Sequence, residues 1–209
     1  VSLGQALDDL DRAAATQLPA TIKRDLAGQS REFRESSGTL YFMFLLAVVF
    51  IYLVLAAQFE SFVHPLTILL SVPLAVVGAF VSLFLFKQSL NIYSQIGLIM
   101  LVGLVTKNAI LIVEFSNQLR AQGLALRAAV TEAARIRLRP ILMTSFSTVF
   151  GILPIAIGLG AGAEARRPLG IAVVGGLLFS TFLTLILVPV VYVLLGRFTR
   201  GKGAPEATA

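Results

Sequence analysis

Five long apolar runs, separated by short polar segments, dominate the chain after residue 38. A spanning helix needs about 20 mostly apolar residues, because the hydrocarbon core is about 30 Å thick and each residue rises about 1.5 Å. The runs at 39–57, 63–86, 92–115, 140–159 and 168–195 all meet that length. The pattern predicts an all-α polytopic membrane bundle of five transmembrane helices. Pro65, Pro140 and Pro168 fall where helices would begin and a missing N–H costs little. Pro73, Pro154 and Pro189 fall inside runs, where a membrane helix bends rather than breaks. Small residues at helical spacing, as in Ala75, Gly78, Ala79 and Ser82 or Gly170, Gly175 and Gly176, predict close helix packing.

Two segments differ. Between the third and fourth runs, 122–138 mixes Leu124, Ala128, Val130, Ala134 and Leu138 with Arg127, Arg135 and Arg137, the pattern of a basic amphipathic helix on the cytoplasmic membrane surface. Residues 1–36 are polar: 3–17 reads as a helix stopped by Pro19, and 21–26 as a short strand, together the end of an α/β domain too small to fold alone. The membrane unit then covers 37–197 and a tail 198–209. A first residue other than Met and a polar start leave no signal peptide, so the chain reads as part of something larger.

Composition narrows the function. With 57% hydrophobic and only 13% charged residues and a mean hydropathy of +0.88, a disordered chain and an ordinary soluble enzyme are both excluded. There is no Cys and one His, so no thiol chemistry or His cluster for a metal is expected. With the N-terminal unit set aside as the end of a large translocated domain, one side carries Arg120, Arg127, Arg135, Arg137, Arg139, Arg197, Arg200 and Lys202. The other has only Lys87, Arg166 and Arg167. Positive charge marks the cytoplasmic side, which places the C-terminus inside and the N-terminal segment outside.

The candidate chemistry lies in polar residues within the apolar runs. Lys107, in GLVTKNAILIVEF, carries a charge that costs about 2.5 to 3.5 kcal/mol near a bilayer centre. Gly103 and Glu114 share its helical face and Asn108 lies beside it. Either Lys107 snorkels to the interface or it serves an ion or proton pathway inside the bundle, and its depth favours the second. Arg137 and Thr144 are seven residues apart and share a face if their helix runs through Pro140. Every Asp lies at Asp8, Asp9, Asp11 or Asp25, so a carboxylate partner for Lys107 is expected from another segment or chain.

These stretches, with AAQFESFVHPL before them and RPLGIAVVGGLLFSTFLTLILVPV after, closely resemble the C-terminal half of resistance-nodulation-division transporters, specifically the hydrophobe/amphiphile efflux branch. The resemblance runs from about Gly4 to Arg200. It implies that the five helices match the last five of twelve, and that residues 1–36 are the end of a periplasmic porter domain. It further implies a proton relay in which Lys107, Arg137 and Thr144 face two aspartates carried by the N-terminal half, a pair this chain lacks. The expected protein is a secondary active transporter, not an enzyme, driven by the proton motive force with no cofactor. It would be a homotrimer in a bacterial inner membrane, working with a periplasmic adaptor and an outer-membrane channel on small amphiphilic substrates, in contact with lipid and not with nucleic acid. The rival readings are a metal-ion exporter of the same family, a non-transporting scaffold, and a chromophore protein using Lys107 as a Schiff-base amine.

Overall fold

The computed structural model describes residues 3–17, 19, 26–160 and 162–196. Among them seven helices and no strand are formed: α1 Leu3–Gln17, α2 Gln29–Phe59, α3 Val63–Leu69, α4 Ser71–Leu85, α5 Ile92–Ala121, α6 Leu126–Ile157 and α7 Ala163–Gly196. The strand expected at 21–26 lies outside the described residues except for its last position. Five stretches are long and apolar enough to cross a membrane: Thr39–Phe59, Val63–Leu85, Ile92–Ala121, Leu126–Ile157 and Ala163–Leu195.

Local chemistry explains where these helices begin and end. Asn91 and Ser94 form a reciprocal capping box at the start of α5: the Ser94 N–H donates to Asn91 Oδ1 and the Asn91 N–H to Ser94 Oγ, both at 2.9 Å. Two free N–H groups are thereby satisfied at the membrane rim. Just past the end of α5, in the turn to α6, Gly123 takes a φ of +94°, which a residue with a Cβ rarely adopts. Gly158, with φ +88°, closes α6 in the same way.

The second span bends at Leu70, as Pro73 predicts: the proline has no N–H to offer the carbonyl of Leu69, and α3 passes to α4 through a residue that keeps helical torsions, φ −63° and ψ −19°. Four other expectations are corrected. Pro140 does not begin a helix. The separate surface helix expected over 122–138 and the fourth span are one helix, α6, running through Pro140. Pro140 and Ile136 are exposed at that point, so the carbonyl released by the proline faces outward, where other groups can satisfy it. Pro168 likewise sits inside α7, which starts five residues earlier with Glu164 in its first turn. The first membrane helix does not begin after residue 36: α2 starts at Gln29 and carries the polar segment and the apolar span in one piece. Pro154 and Pro189 remain within α6 and α7.

α7 is the centre of the bundle and packs along α4, α5 and α6. The two small-residue stripes read from the sequence face each other here. A Cβ on Gly176 would lie 2.9 Å from the carbonyl oxygen of Ala75, and one on Gly175 would collide with Ser82. Where the backbones meet, Ser82 Oγ donates across the interface to the Ile171 carbonyl at 3.1 Å. α2 lies at the edge of the bundle, most of its apolar surface uncovered.

A second joint ties α7 to α5 and α3 near the ends of those helices. Tyr192, 2% exposed, donates its hydroxyl to Asn117 Oδ1 and accepts from Arg120 Nη1 at 3.4 Å. The His64 ring stacks on the Tyr192 ring, centroids 5.4 Å apart and planes at 11°, and the Phe59 ring meets His64 edge-on at 5.9 Å. His64, the one histidine of the chain, is thus packed between two aromatic rings. Tyr192→Phe is expected to lower the stability of the assembled transporter by about 0.6 to 1.7 kcal/mol, the range for hydrogen bonds between membrane helices. A thermal melt equal to the parent's would show that the hydroxyl contributes nothing.

Candidate functional site

α5 and α6 form an antiparallel pair whose register is set by three contacts. Asn108 Nδ2 donates to Ser145 Oγ at 3.1 Å, the Arg137 guanidinium lies 4.5 Å over the Phe115 ring, and Leu119 packs with Ala129 and Ala133. As the α5 partner advances from Asn108 to Phe115 to Leu119, the α6 partner retreats from Ser145 to Arg137 and then to Ala129 and Ala133. Lys107 and Thr144 each precede a residue of the first contact, so the register brings them to the same level of the bundle.

Lys107 is the sixteenth of the 30 residues of α5, at the middle of the helix rather than toward its end. It is exposed on the surface of this bundle and makes no hydrogen bond or ion pair among the described residues. Met100 and Gly103 are exposed with it, an outward stripe at helical spacing on a helix that elsewhere buries Leu101, Val102, Val105, Thr106 and Asn108. A Cβ on Gly103 would meet nothing within 4 Å, so in this chain the gap is open. The uncovered strip is therefore the side of α5 that carries the charge.

The remaining sequence candidates divide. Thr144 is exposed and its hydroxyl donates to the Ile141 carbonyl of its own helix at 3.1 Å. Arg137, on the same face of the unbroken α6, is half-buried with Nε buried and unpartnered, and has no carboxylate partner among the described residues. Glu114 is not brought to Lys107: its Oε1 accepts from Gln118 Nε2 at 3.1 Å, one turn along α5 and away from the ammonium. Asn108 is 4% exposed and belongs to the interior. There it joins residues that the sequence did not single out: Ser145 Oγ also accepts from Thr181 Oγ1 of α7, at 3.1 Å. Ser and Thr are common in membrane helices, so only the fold could show that Ser145 joins Asn108 to Thr181. No group of three or more His, Cys, Asp or Glu suited to a metal ion occurs among the described residues.

The described residues thus form a five-span helical bundle that leaves an ammonium exposed midway along one membrane-length helix and a half-buried guanidinium on the helix paired with it. The model of the AcrB/AcrD/AcrF family matches residues 1–196, and the chain belongs to that family of resistance-nodulation-division multidrug transporters. Multidrug resistance protein MdtC of Erwinia tasmaniensis is 41% identical to it over 202 residues, 96% of this chain and 20% of that protein. MdtC of Pantoea ananatis is 41% identical over 204 residues, 97% of this chain and again 20% of the relative. The chain thus spans about a fifth of the length of the curated relatives it matches.

Proposed function

We propose that this chain supplies the Lys107, Arg137 and Thr144 side of the proton relay of an efflux transporter that exports drugs or other amphiphiles. The observation that carries the reading is the unpaired ammonium of Lys107 on the open strip of a membrane helix. A charge at that depth requires a partner, and none of the described residues provides one, so the counter-charge comes from outside the described bundle. An aspartate pair on the N-terminal half, which the family resemblance implies, fits the gap opened by Gly103. With both carboxylates ionised, the ammonium is held. When protonation neutralises both carboxylates the attraction is lost and α5 is free to shift. Arg137 then offers a second cation on the α6 face, its stem fixed by Phe115, and Thr144 can rotate its hydroxyl from the Ile141 carbonyl to a neighbouring carboxyl.

In this reading the transporter is an inner-membrane homotrimer driven by the proton motive force without a cofactor. It works with a periplasmic adaptor and an outer-membrane channel, with the N-terminal segment of this chain periplasmic and its C-terminus cytoplasmic. Drug susceptibility in a pump-deficient bacterium tests it, comparing this chain alone, this chain with a matching remainder of the transporter, and that pair carrying Arg137→Ala. Resistance is expected only in the intact pair, with Arg137→Ala lowering it roughly tenfold or more, the scale of a lost charge-assisted contact of about 1.5 to 3 kcal/mol. Resistance from the chain alone would contradict the reading.

A further inference from the structure

Asn108, Ser145 and Thr181 connect three helices at the level of Lys107 and Thr144, each through a side chain buried to 5% exposure or less. Asn108 follows Lys107 on α5, and Ser145 follows Thr144 on α6, so any movement of Lys107 and Thr144 by rotation of their helices moves this junction too. One turn beyond Thr181 on the same face of α7 is Thr184, 1% exposed, whose hydroxyl has no hydrogen-bond partner. A buried hydroxyl left unpaired in one state of a molecule is costly, and it calls for a reason. The neighbouring hydroxyls that do pair, Thr106 to the Val102 carbonyl at 2.9 Å and Ser180 to the Leu177 carbonyl at 3.1 Å, show that a membrane helix can satisfy such a group on its own backbone.

We propose that Asn108, Ser145 and Thr181 are positioning residues that couple the Lys107 face to α7, and that Thr184 is the partner this junction takes up when the relay changes state. The inference rests on the proton-relay reading. In the state described here Ser145 Oγ accepts from both Asn108 and Thr181. When α5 and α6 shift against α7, Ser145 exchanges Thr181 for Thr184, so that α7, the element in contact with α4, α5 and α6, registers the charge state of Lys107. Hydroxyl exchange moves no charge through the apolar interior, which suits a mechanical link set beside a proton site.

The two threonines are separable by experiment in the whole transporter. Thr181→Val removes a bond present in this state and is expected to lower both thermal stability and drug efflux per folded transporter. Thr184→Val removes an unpaired hydroxyl, so stability is expected to hold or rise while efflux per folded transporter falls roughly 3- to 20-fold, the equivalent of one interhelical hydrogen bond. The pH at which efflux is half-maximal should move with it by about 0.5 to 1 unit, and Thr184→Ser should restore both. Efflux and pH profile equal to the parent's in Thr184→Val would overturn the role of Thr184. A fall in stability for Thr181→Val with efflux per folded transporter unchanged would reduce the junction to packing. Lys107→Ala, run alongside, separates the two levels: parental efflux in that variant overturns the relay reading itself, whereas lost efflux there with parental Thr184→Val and Thr181→Val overturns only the coupling.

Discussion

Lys107→Ala is expected to bring drug resistance down to the level of a pump-deficient host while the protein still reaches the membrane folded. Nothing within the described bundle holds this side chain, so its loss breaks no hydrogen bond or ion pair there. Removal also takes away a charge that costs about 2.5 to 3.5 kcal/mol to insert at mid-membrane. Function should respond in the opposite sense. Removing one partner of a buried charge pair costs about 3 to 5 kcal/mol, chiefly because the other charge is stranded. A step dependent on that pair then slows roughly 100-fold or more. Lys107→Arg should fail nearly as well, since a planar guanidinium on a longer stem does not repeat the geometry of a compact ammonium. Minimum inhibitory concentrations beside the yield of folded transporter give the measurement. Parental resistance in Lys107→Ala would leave the side chain an interfacial anchor.

Gly170→Leu should do the reverse and prevent the bundle from assembling. A Cβ at Gly170 would lie 2.5 Å from the Ala156 nitrogen, 2.6 Å from its Cα and 2.9 Å from the carbonyl carbon of Ile155. All three are backbone atoms, so no side-chain rotation relieves the clash, and α6 and α7 must separate. Overpacking of a tight core costs about 1 to 3 kcal/mol even when neighbours can yield, and here they cannot. The yield of folded protein is expected to drop by more than about tenfold, with Gly170→Ala intermediate. Gly103→Ala is the control: the space beside it is open in this chain, so folding should be unaffected. Equal yields for Gly170→Leu and Gly103→Ala would show that the close approach of α6 and α7 is not required.

The sequence carried the number of spans, because hydropathy over a window of about 20 residues is set by the bilayer and needs no partner. It also carried Lys107 as a site, since a charge within such a window stands out. The small-residue stripes were legible as packing surfaces, but not which stripe meets which; only the fold pairs Gly175 with Ser82 and Gly176 with Ala75. Pro140 misled as a helix start because a proline at a first turn and a proline tolerated at an exposed bend read alike. Glu114 shared a helical face with Lys107 on spacing alone, yet Gln118, four residues on, holds its carboxylate. The junction of Asn108, Ser145 and Thr181 had no linear signature, because its members are joined across three helices.

The continuity of α2 bears on how work done in the membrane leaves it. Its 31 residues make a rod about 46 Å long, of which about 30 Å matches the hydrocarbon core. The first ten residues, 29–38, therefore project about 15 Å past the apolar span without a joint. An unbroken helix resists compression, so α2 forms a stiff strut from the apolar span out to residue 29. A displacement applied along its axis would arrive there nearly undiminished, before any hinge at Gly28 could absorb it.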